Sequence, residues 1–346
     1  MNKLLGVSDE ELELVIKNTA NKLNMSKAIV EKDFWVCVIL EYLFGQFKYK
    51  DDIVFKGGTS LSKVYKLIER FSEDIDLALD LKVLGHDKNS LYQTRSKNKQ
   101  TKLNEELNND TKLFIRDKLL PIFENDFKKI LGNKTFSFYI DSSDEQTICF
   151  DYPKNHQDSS ILQVIRLEIG CLAEPIPNQR HSIQTYIQDA YPQIFNEKIE
   201  VVALDSLRTF YEKLTILHKE ANRTNDKYPK RYSRHYYDVY KMIIIDIRTK
   251  SFANMELLKD VVDFKKKFYA CNFAKYDDIM SGNIRLTPPS KALEAFSEDY
   301  KNMQNMLFGV KIPFDQIIAT INKYEKELND FIKIFFASTH DSVMSY

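Results

Sequence analysis

The sequence is poor in glycine, proline and cysteine, and it carries no net charge. Nine glycines and nine prolines in 346 residues leave few turn positions, which favours long helices over a loop-rich β fold. The four cysteines lie far apart and match no zinc-binding spacing, so we expect reduced thiols. Lys and Arg together number 50, as do Asp and Glu, so any basic surface has to be local.

Long hydrophobic runs and targeting signals are also missing. No stretch is apolar enough to cross a membrane, and the first residues lead into the acidic segment Asp9-Glu10-Glu11 rather than into an apolar one. Hydrophobic residues at 43% and charged residues at 29% indicate a globular protein with a large core. We therefore expect a cytoplasmic protein without a membrane partner, folded as one large or two ordinary domains.

One stretch, residues 53–80, organises the prediction. Ile53-Val54-Phe55 has the apolar character of a buried strand, and Gly57-Gly58-Thr59-Ser60 interrupts it before apolar residues recur at helical spacing. Apolar residues then alternate with Asp74 and Asp76, which predicts a strand with both carboxylates on one face. The sequence therefore predicts a strand, a glycine turn, a helix and an acidic strand, in that order.

Each part of this stretch suits phosphate chemistry. Gly57 and Gly58 lack Cβ and let the backbone approach a phosphate, and N–H groups at the start of a helix bind anions. Two carboxylates on one strand face supply the hard oxygen ligands that divalent cations prefer. A plain turn before the wet face of an edge strand is the simpler explanation, but the order of the parts favours a phosphate and metal site. The loop matches neither the P-loop nor the Gly-x-Gly-x-x-Gly motif.

A resemblance to a known family rests on two segments, Lys56-Gly57-Gly58-Thr59-Ser60-Leu61 and Arg70-Phe71-Ser72-Glu73-Asp74-Ile75-Asp76-Leu77. Together they resemble the first motif of the AbiEii/AbiGii toxin family of nucleotidyltransferases, within the DNA polymerase β-like superfamily. The resemblance implies that Asp74 and Asp76 bind Mg²⁺ or Mn²⁺. It also implies that the turn holds the phosphates of an NTP through Lys56, Gly57, Gly58, Thr59 and Ser60. The hydroxyl that contacts a phosphate is that of Thr59 or that of Ser60.

Two more segments of the N-terminal part resemble the family less directly. Polymerase β-like transferases complete their metal site with a third carboxylate on a neighbouring strand, and Glu168 in Ile165-Arg166-Leu167-Glu168-Ile169 is the matching candidate. An ordinary exposed glutamate is the alternative. Glu31-Lys32-Asp33-Phe34-Trp35 also resembles a family pattern. The pattern is explained equally well if Lys32 and Asp33 form an exposed polar face and Trp35 anchors the helix in the core. We therefore leave this segment out of the catalytic set.

Two later motifs add a lysine and an aspartate. The family's later motifs resemble Glu212-Lys213-Leu214-x-x-Leu217 and Arg234-His235-x-x-Asp238-x-Tyr240. By that match Lys213 binds the triphosphate or acts in catalysis, and Asp238 is a second essential acidic residue. The simpler explanations are a snorkelling surface lysine and an i, i+4 pair between Arg234 and Asp238; the resemblance favours the functional roles.

Periodicity divides the chain near residues 200–206. Helices are expected at 8–45, through most of 82–132 and from 205 onward, and strands at 135–140, 147–152, 161–170 and 199–204. We therefore predict an α+β protein. Its nucleotidyltransferase domain (1–204) has a mixed, partly antiparallel sheet flanked by helices, and a helical bundle (205–346) follows. We expect the cleft between the two domains to hold the site.

A locally basic segment stands out in this neutral chain. Residues 208–234 contain eight lysines and arginines against three acidic residues, a net charge of +5, with Tyr211, Tyr228 and Tyr232 interleaved. Cationic and aromatic side chains together bind an RNA backbone and stack bases. A solvated loop explains the pattern equally well.

The resemblance implies a reaction as well as a fold. It implies transfer of NMP from an NTP to an acceptor hydroxyl, with RNA such as tRNA as the expected acceptor, by the toxin of a toxin–antitoxin or phage-defence system. An antitoxin protein would then be a partner. A metal-dependent nuclease also uses clustered carboxylates, but it needs neither the glycine turn nor Lys213. A nucleotide-binding protein without turnover is the third class, and the intact Asp74, Asp76, Lys213 and Asp238 argue against it.

Overall fold

The computed structural model of the chain describes residues 2–72, 74–158, 161–225 and 227–343. The chain forms two compact units. Unit 1 extends to Tyr65 and resumes from Phe71 to Leu204, whereas unit 2 contains Lys66–Arg70 and the chain from Asp205 onward. A short segment between the glycine turn and the acidic strand therefore belongs to the second unit.

Unit 1 is built around a mixed sheet of seven strands within the described residues. In chain order these are β1 (Ile53–Lys56), β2 (Asp74–Leu79), β3 (Ser137–Asp141), β4 (Asp144–Asp151), β5 (Ile165–Gly170), β6 (Asn178–Ile183) and β7 (Ile199–Leu204). They lie side by side in the order β3-β4-β5-β2-β1-β7-β6. The pairs β2–β5 and β1–β7 are parallel and the others antiparallel, which confirms the predicted mixed sheet.

Helices flank this sheet, so the protein is of the α+β class. They are α1 (Asn2–Leu5), α2 (Asp9–Leu23), α3 (Lys27–Gly45), α4 (Gly57–Lys63), α5 (Lys88–Leu91), α6 (Lys97–Phe114), α7 (Leu120–Leu131) and α8 (Tyr186–Ala190). A π-helical turn, Ile115–Leu119, joins α6 to α7, and Leu81–Leu84 is a 3₁₀ turn. A capping box begins α2: the Ser8 hydroxyl accepts the Glu11 N–H, and the Glu11 carboxylate accepts the Ser8 N–H.

The core of unit 1 explains which face of the sheet carries the acidic residues. Trp35 on α3 is buried against Phe150 on β4 and Tyr152 just after it. On β2 the side chains of Ile75 and Leu77 are buried, whereas those of the neighbouring aspartates stay partly exposed. Period-two alternation therefore directs the carboxylates away from the aromatic core.

Three local features differ from the predictions. The apolar positions at helical spacing extend to Ile68, but the helix after the glycine turn ends at Lys63. Lys66 adopts a left-handed φ of 54°, and the chain enters unit 2 there. Strand β5 begins at Ile165, later than expected. Strand β6 was not predicted, because its sequence is polar and only Ile183 at its end is buried. An edge strand needs little apolar surface.

Unit 2 is mainly helical. Its helices are α9 (Ser206–Ala221), α10 (Ser233–Ile243), α11 (Ile247–Ala253), α12 (Met255–Phe268), α13 (Asp277–Met280), α14 (Leu293–Asn302) and α15 (Phe314–Val343), with 3₁₀ turns at Ser290–Ala292 and Gln304–Met306. Asp205 caps α9, since its carboxylate accepts the Leu207 N–H at 2.7 Å. Aromatic rings such as Tyr236 and Phe296 pack between α10 and α14.

In the part of the chain that the structure describes, no helix is both long and apolar enough to cross a membrane.

Candidate active site

The glycine turn brings the Asp76 carboxylate against the backbone. Gly57 has φ of 78°, a conformation that favours glycine, and a Cβ added there would overlap the Asp76 carboxylate. The strand register explains this approach, because Lys56 at the end of β1 lies opposite Asp76 on β2. The turn therefore needs glycine both for its own conformation and for the position of Asp76.

Thr59 and Ser60 use their hydroxyls to hold the turn. Thr59 Oγ1 donates to the Asp74 carbonyl oxygen, and Ser60 Oγ donates to the Gly57 carbonyl oxygen over 2.9 Å. Both side chains are buried. A direct bond from either hydroxyl to a phosphate would require its present bond to break, whereas the backbone N–H groups at the start of α4 need no such change.

Three carboxylates lie on one face of the sheet. In the parallel β2–β5 pair, Asp74 lies opposite Arg166 and Asp76 lies opposite Glu168. Because residues two apart on a strand share a face, the side chains of Asp74, Asp76 and Glu168 all point to the same side. Asp74 is 22% exposed and Glu168 is 40% exposed, so both can reach a ligand.

Arg166 lies among these carboxylates, although the sequence analysis gave it no role. Its Nε is 3.6 Å from Asp74 Oδ1, its Nη2 is 3.6 Å from Glu168 Oε1, and its Nη1 donates to Asp141 on β3. Burial opposes its charge, but the three carboxylates outweigh burial and raise the pKa of Arg166. Hydrogen bonds from Ser143, with the charge of Arg166, lower the pKa of Asp141 to about 2.

The oxygen donors of this cluster fit a divalent cation. Carboxylates are preferred ligands of Mg²⁺ and Mn²⁺. The Asp76 carboxylate also occupies space that exists only because Gly57 has no Cβ. In the structure Arg166 supplies the positive charge next to Asp74 and Glu168. A bound cation and the Arg166 guanidinium would therefore compete for the same carboxylates.

The three predicted ligands are not gathered tightly around one point. Among the described residues, a different set of side chains has its donor atoms within 4.8 Å of one another. This set is His86, Glu106 and Asp110. His86 and Asp110 already form an ion pair of 2.8 Å there, partly exposed to solvent. Binding by Asp74, Asp76 and Glu168 together would require their side chains to turn toward each other.

Buried charges on α3 hold α4 in place. Asp33 forms an ion pair with Lys63, and its Oδ2 accepts the Tyr186 N–H at 2.7 Å. Burial lowers the pKa of Lys63, but the charge of Asp33 outweighs it and raises the pKa above its usual value. Lys32 is also buried and donates to the Leu162 carbonyl oxygen. The exposed polar face considered for Lys32 and Asp33 is therefore wrong, since both lie in the interior.

Unit 2 contains a second charged cluster, in which one carboxylate binds two cations. Asp238 on α10 accepts two hydrogen bonds from Arg70, with Nε–Oδ1 at 2.7 Å and Nη2–Oδ2 at 2.8 Å. Lys213 Nζ on α9 lies 2.8 Å from Asp238 Oδ2. The side chains are 5%, 7% and 0% exposed for Arg70, Lys213 and Asp238. Lys213 is thus no snorkelling surface lysine, and Asp238 binds partners far away in sequence.

Burial and charge act against each other in this cluster. Burial would raise the pKa of Asp238, but Arg70 and Lys213 hold it below its usual value. Burial lowers the pKa of Lys213, against the charge of Asp238, and Arg70 adds to the lowering. Burial, with the charges of Lys213 and Arg234, also holds the pKa of His235 well below its usual value. His235 Nδ1 is buried without a hydrogen-bond partner in the described part of the chain.

Arg70 lies between α4 and β2, in the short segment that belongs to unit 2. Arg70 forms an isolated β-bridge with Leu307, and the Phe308 N–H donates to the Glu69 carbonyl oxygen at 2.7 Å. Lys241 Nζ lies 3.0 Å from the Glu69 carboxylate. The residues just before β2 are thus fixed within unit 2. The sequence contains one signal for a role of Arg70, because Arg70 lies inside the first family motif. The sequence analysis assigned no role to that residue.

The structure gathers the predicted residues into two groups. Unit 1 brings together the turn and the carboxylates, namely Lys56, Gly57, Gly58, Thr59, Ser60, Asp74, Asp76 and Glu168. Unit 2 brings together Lys213 and Asp238. Glu73 of the first motif lies outside the described residues.

Much of the basic segment 208–234 is turned inward. Arg208, Lys213 and Tyr211 are buried, and the Tyr211 hydroxyl donates to the Ser251 carbonyl oxygen at 2.6 Å. Tyr211 is therefore no stacking surface for a base. Asp226, one of the acidic residues counted there, lies outside the described residues.

The exposed cations of the segment are fewer than its composition suggests. Arg223 forms two hydrogen bonds of 2.6 and 2.8 Å with Glu220, whose side chain is buried. Lys227, Lys230 and Arg231 are exposed. These three are the residues of the segment best placed to contact a phosphate backbone.

A glycine turn that opens a short helix, followed by paired carboxylates on the next strand of a mixed sheet, defines a nucleotidyltransferase. The family model described as nucleotidyl transferase AbiEii toxin, type IV toxin–antitoxin system, matches residues 38–320. The chain belongs to this family of toxins. Enzymes of this class use an NTP and a divalent cation, and a toxin of such a system has an antitoxin as its partner.

Comparisons with individual proteins add little. A search of curated proteins found no match. Among solved structures, MenT4, a nucleotidyltransferase toxin from Mycobacterium tuberculosis H37Rv, is similar at 17% identity and a TM-score of 0.41. The match covers 92% of this chain and 98% of that chain. The similarity is too low to support an argument, so function rests on the family match and on the residues themselves.

The contact between Gly57 and Asp76 makes a first prediction. We expect Gly57→Ala to lower both stability and nucleotidyl transfer, because a Cβ at φ 78° is strained and displaces the Asp76 carboxylate. The strain alone costs about 1–3 kcal/mol. Gly45→Ala is the matched control, since nothing lies within 4 Å of its added Cβ. Thermal unfolding and label transfer measure both effects; a Gly57→Ala protein as active and stable as Gly45→Ala would contradict the prediction.

Proposed function

We propose that this toxin transfers NMP from an NTP to an acceptor hydroxyl with Mg²⁺ as the cation, and that the acceptor is RNA, with tRNA as the expected substrate. The observation that carries the proposal is the Asp76 carboxylate packed against Gly57, in register with Glu168 on the next strand. This arrangement joins a phosphate-binding turn to carboxylate ligands. A nuclease needs the carboxylates but has no use for the turn.

The residues of unit 1 bind and orient the reacting groups in this proposal. The glycine turn holds the phosphates through backbone N–H groups, and Asp74 and Asp76, with Glu168 as a third ligand, hold the cation. When bound, Mg²⁺ supplies positive charge at the phosphates and makes the attacking hydroxyl more acidic. The acceptor oxygen bonds to the α-phosphorus, the bond to pyrophosphate breaks, and the hydroxyl proton passes to solvent.

The residues of unit 2 contribute charge. Lys213 stabilises negative charge on the triphosphate. Asp238 has three candidate roles, which are to position the acceptor, the nucleotide or Lys213. Its burial and its contacts to Arg70 and Lys213 favour the last of them.

Label transfer tests the proposal directly. The protein is incubated with each α-labelled NTP, Mg²⁺ and total RNA, and we expect one or more NTPs to label RNA and EDTA to prevent it. RNA shortening without label would indicate a nuclease. NTP binding without either product would indicate a binding protein, and label on protein would move the acceptor to a protein hydroxyl.

A second prediction concerns the RNA contact. Replacing Lys227, Lys230 and Arg231 together by Gln should weaken RNA binding, because each phosphate contact releases counterions. The slope of log affinity against log salt should flatten by about 2. NTP binding should not change. Arg223 is spared, since its loss would leave the buried carboxylate of Glu220 without its partner.

The matched control removes three exposed lysines elsewhere in unit 2. Lys250, Lys259 and Lys301 are 57%, 48% and 70% exposed and each pairs with an acidic neighbour on its own helix or at its start. Gln at these positions should leave RNA affinity and its salt slope unchanged. Equal RNA affinity of both triple variants at every salt concentration would place the acceptor elsewhere.

A further inference from the structure

A second segment rich in cations and aromatic residues lies in unit 2, at the end of α12 and in the loop that follows it. Residues 264–276 contain four lysines and no acidic residue, a net charge of +4 in a chain whose net charge is zero. Five aromatic residues are interleaved with these lysines. No residue of this segment has a role in the proposed function.

Three of the lysines, Lys265, Lys266 and Lys267, form the last turn of α12. The C-terminus of a helix carries partial negative charge, which favours cations there. Lys266 pairs with the exposed Asp277, and because surface pairs of this kind contribute little, a phosphate can replace that carboxylate. The helix dipole explains the lysines, but it does not explain the aromatic residues beside them.

Tyr269 directly follows the last turn of α12 and is 45% exposed. Lys265 Nζ lies 4.3 Å from the centre of the Tyr269 ring. Phe264 packs against the same ring, with 6.2 Å between the ring centres. An ammonium group therefore lies beside an aromatic ring that a ligand can reach from solvent.

Phe273 has a similar environment in the loop. The centre of its half-buried ring lies 5.8 Å from Lys219 Nζ and 5.3 Å from the Arg223 guanidinium, both at the end of α9. His218 ties the loop to α9, because its Nε2 donates to the Lys275 carbonyl oxygen over 3.0 Å. The loop thus holds a second ring beside cations of another helix.

Cations beside accessible rings match the chemistry of a single nucleic-acid strand. Its phosphates pair with the cations and its unpaired bases stack on the rings, whereas a duplex keeps its bases stacked inside. An acidic protein segment would use the lysines but has little use for the rings. The combination therefore favours single-stranded RNA over a duplex or an acidic protein.

We propose that residues 264–276, with Lys219, form a surface that binds a single-stranded part of the acceptor RNA. The lysines in the last turn of α12 contact its phosphates, and Tyr269 and Phe273 stack on its bases. The inference rests on the proposed function and deepens it, because it gives the RNA acceptor a binding surface within unit 2.

The stacking part is tested at Tyr269 with oligouridylate as the probe. Tyr269→Leu keeps an apolar side chain but removes the ring, so we expect affinity to fall about fivefold or more. The slope of log affinity against log salt should not change, since no phosphate contact is lost. Tyr269→Phe keeps the ring and should bind as wild type. Affinity for an RNA duplex of the same length should not depend on this residue.

The phosphate contacts are tested by replacing Lys265, Lys266 and Lys267 together by Gln. Affinity for oligouridylate should fall, and the salt slope should flatten by about 2, because each contact with a single strand adds about 0.7. The matched control replaces three exposed lysines on other helices of unit 2 by Gln. These are Lys250, Lys301 and Lys323, and their loss should change neither affinity nor slope.

Equal affinities of Tyr269→Leu and Tyr269→Phe for oligouridylate would overturn the inference, whatever else the surface binds. The same conclusion follows if the lysine variant keeps the wild-type slope. A loss in Tyr269→Leu that is equally large for the duplex would contradict stacking of unpaired bases. If the lysine variant does not fold, the comparison of the two Tyr269 variants decides.

These measurements keep the inference apart from the proposed function. A protein that binds oligouridylate through Tyr269 and the three lysines but labels no RNA would reject transfer to RNA and keep the surface. Normal labelling of RNA, with RNA affinity that is independent of Tyr269 and of the lysines, would reject the inference alone.

Discussion

Asp76→Asn is expected to abolish nucleotidyl transfer and to leave the fold intact. Asparagine keeps the shape that packs against Gly57 but loses the charge that binds a cation. The side chain is partly exposed, so its change should cost little stability. We expect the rate of label transfer to fall by at least about 10²-fold, the scale on which enzymes lose activity when one electrostatic group is removed.

Label transfer at several Mg²⁺ concentrations, with thermal unfolding alongside, provides the measurement. Asp51→Asn is the control, since Asp51 is an exposed aspartate just before β1. It should behave as wild type in both assays. Full activity of Asp76→Asn would remove Asp76 from the metal ligands and, with it, the main support for the proposed chemistry.

Asp238→Asn should cause a large loss of stability, confined at first to unit 2. The change leaves the buried Arg70 and Lys213 facing a neutral amide. Breaking a buried ion pair by removing one partner costs about 3–5 kcal/mol. Lys213→Met should cost less, because Asp238 keeps its two hydrogen bonds to Arg70.

Hydrogen exchange of the α9 and α10 amides is the suitable measurement. The single tryptophan, Trp35, lies in unit 1 and would not report on unit 2. Asp263→Asn is the control, since Asp263 is 53% exposed and its pair with Lys259 is worth less than about 1 kcal/mol. Wild-type protection of α10 in Asp238→Asn would show that the carboxylate does not hold the two cations together.

The parts of the site that the sequence predicts are those set by local rules. A glycine pair after an apolar run and alternation around Asp74 and Asp76 are short-range patterns, and they led to β1, α4 and β2. The same alternation placed Arg166 on the face of Glu168. Alternation alone does not identify the partner of a charged side chain. The contacts of Arg166 with Asp74 and Asp141 can be seen only once the order of the strands in the sheet is known.

The charged interior is what sequence reasoning missed. Lys32 and Asp33 fit an exposed helix face in the sequence, yet both are buried with a partner from a distant segment, as is Glu31. Arg70 and Asp238 are 168 residues apart, so no window of sequence contains both. Charge normally indicates exposure, and the exceptions are visible only once the partners are placed.

The detour of residues 66–70 into unit 2 has a consequence for synthesis. After Arg70 emerges, the ribosome must add 168 further residues before Asp238 exists. At about 5–20 residues per second this takes roughly ten to thirty seconds. During that time the nascent chain can complete the glycine turn but not the cluster that holds Arg70 and Lys213. A growing polypeptide of this toxin therefore cannot assemble its second charged cluster until Asp238 has been synthesised.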